Sequence, residues 1–305
     1  MKVAVVTGAA GFVGKAVVRE LLQHGIEVCS VVRSGTYEIT GLEDSHIIEC
    51  DLNNYSNLPS FMESYTPDVF YHFAWEGTAG LLRRNEKVQL ANVQGTCDAV
   101  SAAISMGCKK FVFASSIMEY EVEAEIKSMR SPNINSIYST AKLSADYMAR
   151  IIAMNSNIGY ISALISNVYG PGEKSPRLIN SSIRKLLNGE HLSLSSGKQL
   201  YDFIYITDAA KMFTMIGLKG ISGSIYYIGN FNAKQLRLFL EEMRDVVAPG
   251  VKLGFGDLNF NGISLSYKEF DTELLYKHTG IKPEVSFSEG IAKTRDWIVK
   301  DNDKS

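Results

Sequence analysis

The sequence contains few cysteines, and they are scattered along the chain. The four of them, Cys29, Cys50, Cys97 and Cys108, form no Cys-x-x-Cys pair, which is the spacing typical of metal and redox sites. We therefore expect buried, reduced thiols rather than disulfides, and a cytoplasmic protein. No group of histidines, cysteines and carboxylates has metal-ligand spacing, so we predict no metal. We interpret His72, on an apolar strand, as a core residue.

An excess of charge of one sign and long apolar runs are also missing. A formal net charge of -2 over 305 residues predicts no general attraction to nucleic acid or to anionic membranes. No apolar run reaches the roughly 18 residues of a membrane span. The first strand begins at Lys2, so we expect no signal peptide. With 46% hydrophobic residues, a chain of this length can bury one large core with a subsidiary lobe.

Short β-branched runs alternate with longer helical patterns through the first 165 residues. Continuous apolar strands separated by helices predict an α/β fold, a doubly wound parallel Rossmann sheet. We expect a dinucleotide-binding domain at 1–166 plus about 203–230, and a smaller mixed α/β substrate lobe at about 167–202 plus 231–305. The strand candidates are KVAVVTG, EVCSVVR, SHIIEC, DVFYHFA, KKFVFASS, GYISALIS and SIYYIGN.

Three glycines interrupt the first strand just before an amphipathic stretch, in VAVVTGAAGFVGKAVV. Gly8 would make the tight turn, Gly11 would let the backbone approach a pyrophosphate, and Gly14 would let helix pack on strand. The following helix, beginning near Phe12 and Val13, would direct its amides and positive dipole end at the phosphates. A plain tight turn is the alternative. The flanking strand and helix favour dinucleotide binding.

The end of the second strand bears on which dinucleotide is bound. Val32 and Arg33 stand where an NAD enzyme usually carries an acid for the adenosine ribose. Arg33 could pair with a 2′-phosphate, so we favour NADP, with NAD possible and a solvated surface arginine as the alternative. In CDL, Asp51 and the following Leu52 fall where they could contact the adenine. Asp51 could equally be a turn or capping residue.

Tyr138 and Lys142 lie four residues apart in a helical pattern, so both leave the same face. A free tyrosine has a pKa near ~10, and a neighbouring ammonium favours its phenolate. Upstream, the strand FVFASS ends in Ser115 and Ser116, at the edge where such folds bind ligands. We predict Tyr138 as acid or base, Ser116 as donor to the reacting oxygen, and Lys142 as ligand of the nicotinamide ribose. The alternative is that Tyr138 and Lys142 are ordinary side chains on a surface helix.

Together these motifs resemble the extended short-chain dehydrogenase/reductases, the NAD-dependent epimerase/dehydratase family of nucleotide-sugar enzymes. The resemblance also includes HFAW, NVQGT, YSTAK, NVYGPG, YDFIYITDAA and TGIKPEVSFSEGI. It implies that Ala74 lines the cofactor groove, Asn92 steadies the active-site backbone and Asn167 touches the substrate. Trp75 falls where the family lines its substrate pocket, with packing as the alternative. It also implies a homodimer formed through helices at roughly 87–106 and 138–154.

The departures from the family pattern narrow the expected reaction. Family 4,6-dehydratases carry an Asp-Glu pair after the catalytic hydroxyl residue. Here those places hold Ile117 and Met118, which cannot transfer a proton, so dehydration is disfavoured. Tyr201 stands where the family usually has an arginine, and the arginine that often clamps the substrate diphosphate is missing near FNGISLS. Arg177 or Arg184 could replace these donors, or could be solvated surface charges. The residues we assign to the substrate are Ser115, Trp75, Asn167, Arg177 and Tyr201.

Three hypotheses remain from the sequence. The first is NADPH-dependent reduction of the 4-keto group of a nucleotide-linked (6-deoxy)hexose. The second is an NAD-dependent 4-epimerase. The third is a non-catalytic dinucleotide sensor, which the Ser116, Tyr138 and Lys142 set disfavours because a sensor needs no tuned phenol.

Overall fold

A computed structural model describes residues 1–36, 39–129, 131–132 and 134–302. The chain divides into two compact units. The first comprises Met1–Ile165, Ala210–Ile228 and Thr272–Ile281, and the second comprises Ser166–Ala209, Gly229–Asp271 and the described residues from Lys282 onward.

The strands and helices are numbered here in chain order. The strands are β1 Val3–Thr7, β2 Glu27–Val32, β3 His46–Glu49, β4 Val69–His72, β5 Lys110–Ser116, β6 Gly159–Ile165, β7 Asn167–Tyr169, β8 Ser193–Leu194, β9 Leu200–Tyr201, β10 Phe203–Tyr205, β11 Ile225–Ile228, β12 Lys234–Gln235 and β13 Gly254–Phe255. The α-helices are α1 Phe12–Gln23, α2 Glu86–Ser105, α3 Glu119–Lys127, α4 Ser136–Met154, α5 Leu178–Leu187, α6 Ile206–Lys219, α7 Leu236–Val247, α8 Leu274–Thr279 and α9 Phe287–Asn302. The 3₁₀ helices are Leu52–Phe61, Leu81–Arg84 and Tyr267–Glu269.

A seven-stranded parallel sheet forms the centre of the first unit. Its strand order is β3-β2-β1-β4-β5-β6-β11, with parallel pairing between neighbours. The order reverses between β1 and β4, and ligands of open α/β sheets bind outside the carboxyl ends of the strands at such a point. The predicted Rossmann sheet is confirmed, as are the strands predicted for it.

Small residues bring the helices on one face of the sheet close together. Ala99, Ala102 and Ala103 of α2 are buried, as are Ala145 and Ala149 of α4, and the two helices pack against each other. At the start of α2, the Asn85 side chain accepts bonds from the amides of Lys87 and Val88, a standard N-cap. This packing fixes the helix that carries Tyr138 and Lys142.

The second unit is built from two-stranded sheets and helices. β7 pairs with β10, β8 with β13 and β9 with β12. β10 therefore belongs to this unit, and the first unit resumes at Ala210. An aromatic cluster fills the core, with ring centroids 5.0 Å apart for Phe203 and Phe239 and 4.8 Å apart for Phe239 and Phe287. Within the described ranges, no helix combines the length and the apolar character needed to cross a membrane.

Candidate active site

The turn between β1 and α1 consists of small residues, in the sequence GAAG at positions 8–11. Gly8 has φ of +66°, in the left-handed region that favours glycine. A Cβ at Gly8 would lie 2.7 Å from the backbone nitrogen of Ala74, and one at Gly14 would collide with the Gly8 carbonyl. The amide of Gly11 donates to the Gly8 oxygen at 2.9 Å, and α1 begins at the next residue.

The residues of this turn fit a dinucleotide pyrophosphate. The first amides of α1, those of Phe12 and Val13, have no acceptor within the helix, because the first four N–H groups of a helix precede their partners. Side chains at Gly8 or Gly14 would collide with the neighbouring backbone. Glycine at both positions therefore keeps the turn tight, with the first amides and the positive dipole end of α1 beside it.

The loop after β2 carries more negative charge than its own sequence suggests. Arg33 is exposed there, but the amide of Ser34 donates to Asp51 Oδ1 at 3.0 Å and that of Gly35 to Glu49 Oε2 at 3.3 Å. Carboxylates therefore do stand beside the end of β2, although the residues at that end are Val32 and Arg33. The sheet register places two acids of the next strand and its loop beside it.

His72 is a buried core residue, as interpreted. Its Nδ1 lies 2.8 Å from Thr7 Oγ1, and its Nε2 lies 3.1 Å from Thr96 Oγ1. Burial lowers the pKa of His72 to about 3, with Lys142 adding to the effect. The neutral ring links β1, β4 and α2.

Asn92 holds the loop that follows β4. Its Nδ2 donates to the Glu76 oxygen at 2.8 Å, and its Oδ1 accepts from the Glu76 amide at 2.8 Å. Trp75 Nε1 donates to Gln89 Oε1 at 2.9 Å. These bonds from α2 fix the segment that contains Ala74, which contacts the glycine turn, and Trp75.

A buried carboxyl organises the end of β5. Glu119 Oε1 accepts from Ser115 Oγ at 2.6 Å and from the Ser116 amide at 3.2 Å. Ser116 Oγ accepts from the Met118 amide at 3.2 Å, which leaves the hydroxyl hydrogen of Ser116 available for another acceptor. Burial raises the pKa of Glu119, and the nearby Asp146 carboxylate raises it further.

Trp75 joins the tyrosine and the lysine of α4 in one cluster. Its ring centroid is 6.0 Å from that of Tyr138, edge to face, and 3.7 Å from Lys142 Nζ. Lys142 also donates to the Ala114 oxygen at 2.9 Å. Burial lowers the pKa of Lys142, against the opposing attraction of the Glu119 and Asp146 carboxylates.

An arginine that the sequence analysis did not select completes this cluster. The guanidinium carbon of Arg83 lies 4.0 Å from the centroid of the Tyr138 ring. Arg83 belongs to the 3₁₀ helix Leu81–Arg84, which packs against α4. In the sequence LLRRN it resembles an ordinary solvated basic pair, so no local signal distinguishes it.

Comparison with known proteins decides the family. The NAD dependent epimerase/dehydratase family matches residues 4–229, more than half of the chain. The chain belongs to this family.

Relatives and solved structures agree with this assignment. A dTDP-glucose 4,6-dehydratase of Neisseria gonorrhoeae is 27% identical, over 96% of this chain and 94% of the relative. The crystal structure of DesIV, a dTDP-glucose 4,6-dehydratase from Streptomyces venezuelae with NAD bound, is 25% identical, with a TM-score of 0.81 and coverage of 100% and 98%. The UDP-glucose 4-epimerase of Thermotoga maritima with UDP-glucose, 20% identical, covers 99% of this chain and 100% of its own with a TM-score of 0.82. The last supports the fold alone.

Membership in the epimerase/dehydratase family makes the side chains after Ser116 informative. Ile117 is buried and Met118 is partly buried, and neither side chain can donate or accept a proton. Glu119 is the first acid after β5, and its carboxyl group accepts a hydrogen bond from the Ser115 hydroxyl.

The remaining predicted substrate residues lie in the second unit, each with local partners. Asn167 Nδ2 donates to the Asp202 oxygen at 3.1 Å. Arg177 Nε lies 3.3 Å from Glu173 Oε2, and the Tyr201 ring stacks on Phe203 with centroids 5.5 Å apart. Arg184 approaches the Trp297 ring at 5.7 Å. Their roles toward a substrate stay predictions.

The described part of the chain contains no group of three or more histidine, cysteine or acidic residues able to hold a metal ion. The four cysteines are buried and free of disulfides. Burial raises the pKa of Cys29 and of Cys108 to about 12, which makes these thiols poor nucleophiles.

Proposed function

We propose that this enzyme reduces the 4-keto group of a nucleotide-linked (6-deoxy)hexose with NADPH. The observation that carries the proposal is the cluster of Tyr138, Lys142 and Trp75 in the unit that bears the glycine turn. Ile117 and Met118 support it by leaving no acid pair for elimination of water. The activities named for the Neisseria relative and for DesIV support a nucleotide sugar as the substrate class.

A set of residues in the first unit would hold the dinucleotide. The amides at the start of α1 would bind the pyrophosphate, the loop after β2 the adenosine, and Lys142 the nicotinamide ribose. When bound, the dinucleotide supplies a hydride to the carbonyl carbon. The residues assigned to it are Gly8, Gly11, Phe12, Val13, Gly14, Arg33, Asp51, Leu52, Ala74, Asn92 and Lys142.

The protein's own residues would manage the proton. Tyr138 would give its phenolic hydrogen to the carbonyl oxygen, which becomes the alcohol. The hydroxyl of Ser116 accepts from the Met118 amide on one lone pair, so its hydrogen would be available to donate a hydrogen bond to the same oxygen. The positive charge of Lys142 would stabilise the phenolate that remains.

A 4-epimerase that uses NAD is the second candidate, favoured by one specific observation. Asp51 and Glu49 bind the amides of the loop after β2, and carboxylates there suit ribose hydroxyls better than a 2′-phosphate. The exposed Arg33 argues for NADPH at the same place. A sensor without activity is disfavoured by the buried lysine beside Tyr138.

One assay separates these functions. A 4-keto nucleotide sugar mixed with the protein and NADPH should oxidise one NADPH for each sugar reduced. An epimerase would interconvert two sugars with no net change in dinucleotide absorbance, and a sensor would do neither. Binding of uridine, thymidine, cytidine and guanosine diphosphates, measured side by side, would identify the nucleotide.

We also propose that the protein is a homodimer formed through the outer faces of α2 and α4. Exposed apolar side chains line α4: Tyr147 is 58% exposed, Ile151 55% and Met154 74%. Leu90 adds an exposed apolar side chain on α2.

We also propose that the protein works in the cytoplasm. Its four cysteines are buried and form no disulfides, which supports a reducing compartment.

A further inference from the structure

Arg83 is held in place over the face of the Tyr138 ring. Its guanidinium carbon lies 4.0 Å from the ring centroid, and its Nη1 donates to the Thr78 oxygen at 3.2 Å. The side chain is partly buried, whereas the adjacent Arg84 is exposed. The segment is also tied to α2, because the Gln89 side chain of α2 donates through Nε2 to the backbone oxygen of Leu82 at 3.1 Å. The guanidinium is therefore positioned rather than free to swing.

A cation over an aromatic face is attracted by the electrons of the ring. When the ring is a phenol that loses its proton, the attraction grows, because the ring then carries negative charge. An arginine in this position lowers the free energy of the phenolate relative to the phenol. It also keeps its charge at every pH that the protein survives.

Lys142 cannot supply such a constant charge. Burial lowers its pKa, so the site disfavours its charged ammonium form. Its Nζ also donates to the Ala114 oxygen and lies over the Trp75 ring. The two cations of this cluster therefore differ. Lys142 titrates and is shared among several partners, whereas Arg83 lies over the Tyr138 ring and carries a permanent charge.

We propose that Arg83 is a positioning residue for the reaction, which supplies the permanent positive charge that stabilises the phenolate of Tyr138. This inference rests on the proposed role of Tyr138 as acid or base. Other charged groups pack around this part of α4. They are Lys142 and Asp146 of the helix itself and three glutamates of α3. Glu119 binds Ser115, Glu121 accepts from Ser139 Oγ at 2.7 Å, and Glu125 accepts from Ser136 Oγ at 2.7 Å.

The test is a pH titration of the Tyr138 phenol by NMR, in protein labelled with ¹³C at the tyrosine ring. Tyr138→Phe assigns the signal by its disappearance. Arg83→Gln removes the charge and keeps a polar side chain, while the bond from Gln89 to the Leu82 oxygen still ties the segment to α2. We expect the titration midpoint to rise by about 0.7 pH unit, since a cation–π contact of this kind is worth about 1 kcal/mol.

Two further variants complete the test. Arg84→Gln removes an equal charge from an exposed neighbour and should move the midpoint by less than about a quarter of that amount. Arg83→Lys keeps a cation near the ring and should restore at least half of the shift. Equal midpoints in wild type and Arg83→Gln, with both proteins folded by circular dichroism, would overturn the inference.

The titration needs no substrate, so it is independent of the proposed reaction. If the midpoint moves while no nucleotide sugar is turned over, the reaction is refuted and the charge effect of Arg83 stands. If turnover is normal and the midpoint does not move, the inference about Arg83 fails alone. In an active enzyme, the alkaline limb of the pH–rate profile should move with the midpoint in Arg83→Gln.

Discussion

Glu119 accepts a hydrogen bond of 2.6 Å from the hydroxyl of Ser115, and the same oxygen accepts from the Ser116 amide. This places a carboxyl with almost no exposure at the end of β5. Burial raises the pKa of Glu119. The Glu119 carboxyl group therefore makes the free energy of unfolding depend on pH, and it lies next to the predicted catalytic serine.

The sign of this dependence follows from linkage. The unfolded chain releases the Glu119 proton near pH ~4.3, whereas the folded chain keeps it to higher pH. Stability from this group is thus complete below that value and is lost as pH rises through the folded pKa. Glu119→Gln keeps the acceptor for Ser115 without a proton to lose. We expect it to gain about 1 to 2 kcal/mol over wild type between pH 5 and pH 8, by urea unfolding.

A neighbouring acid provides the control for this comparison. Glu123 is on the same helix, half exposed and paired with Lys127 at 2.6 Å. Glu123→Gln should differ from wild type by a small amount that does not change over this pH range. Lys142, whose pKa burial lowers, adds an opposite slope that wild type and Glu123→Gln share. Glu119→Gln removes the carboxylate that raises the Lys142 pKa, which changes its pH dependence in the same direction as the loss of the Glu119 proton. Parallel curves for wild type and Glu119→Gln would contradict the assignment.

Gly8→Ala should impair both folding and dinucleotide binding. The left-handed conformation costs an alanine about 1 kcal/mol, and the added Cβ would meet the Ala74 backbone at 2.7 Å. We expect a loss of about 2 to 3 kcal/mol in stability and at least a tenfold loss of dinucleotide affinity, measured by thermal unfolding and calorimetric titration.

Gly25 offers a matched position for this experiment. It has φ of +69°, and a Cβ there meets nothing within 4 Å. Gly25→Ala should therefore lose only about 1 kcal/mol of stability and bind the dinucleotide as wild type does. If both variants lose affinity equally, the turn at Gly8 has no special role in binding.

Much of the first unit could be predicted from the sequence, because its signals are local. Most strands of the sheet are continuous apolar runs, and most are separated from the next by a helical segment. The pairing of β10 with β7 could not be foreseen in this way. Nor could the membership of α8 in the first unit, where His278 Nδ1 lies 2.7 Å from the Tyr226 hydroxyl. Both depend on contacts between distant segments, which periodicity does not encode.

The candidate site shows the same limit. Tyr138 and Lys142 are four residues apart on one helix, and their spacing alone suggests a shared face. Arg83 reaches the same ring from 55 positions earlier, and Glu119 has the sequence context of an ordinary first-turn acid. Glu49 is an exposed residue at the end of the short strand β3, and only the pairing of β3 with β2 brings it beside the loop after β2.

Tyr138→Phe should abolish turnover while leaving the dinucleotide bound. Removal of a general acid lowers rates by about 10²- to 10⁴-fold, and the ring that packs against Trp75 and Arg83 is retained. We expect at least a hundredfold loss of activity and an affinity within a few-fold of wild type. Tyr147→Phe, on the exposed face of the same helix, should keep full activity. Retention of more than a few percent of activity in Tyr138→Phe would remove this residue from its role.

Cofactor preference can be tested at the loop after β2. Arg33→Ala should weaken NADPH about tenfold and NADH less than twofold, because a bond to a charged phosphate is worth about 1.5 kcal/mol. Asp51→Asn keeps the acceptor for the Ser34 amide and removes a charge, so it should favour NADPH relative to NADH by a few-fold. Calorimetric titration with both dinucleotides measures these ratios. Equal losses for both in Arg33→Ala would refute the phosphate contact.

The proposed homodimer can be tested on the outer face of α4. Ile151 is more than half exposed, in line with the exposed side chains of Tyr147 and Met154, and residues four apart share a helix face. A glutamate in the middle of a paired apolar face would bury a charge without a partner. We expect Ile151→Glu to convert the dimer to a monomer in chromatography with light scattering. Leu238→Glu, at a leucine of similar exposure on α7, should remain dimeric. A dimeric Ile151→Glu, or a monomeric wild type at micromolar concentration, would exclude this interface, because a stable dimer depends on a desolvated apolar centre rather than on its rim.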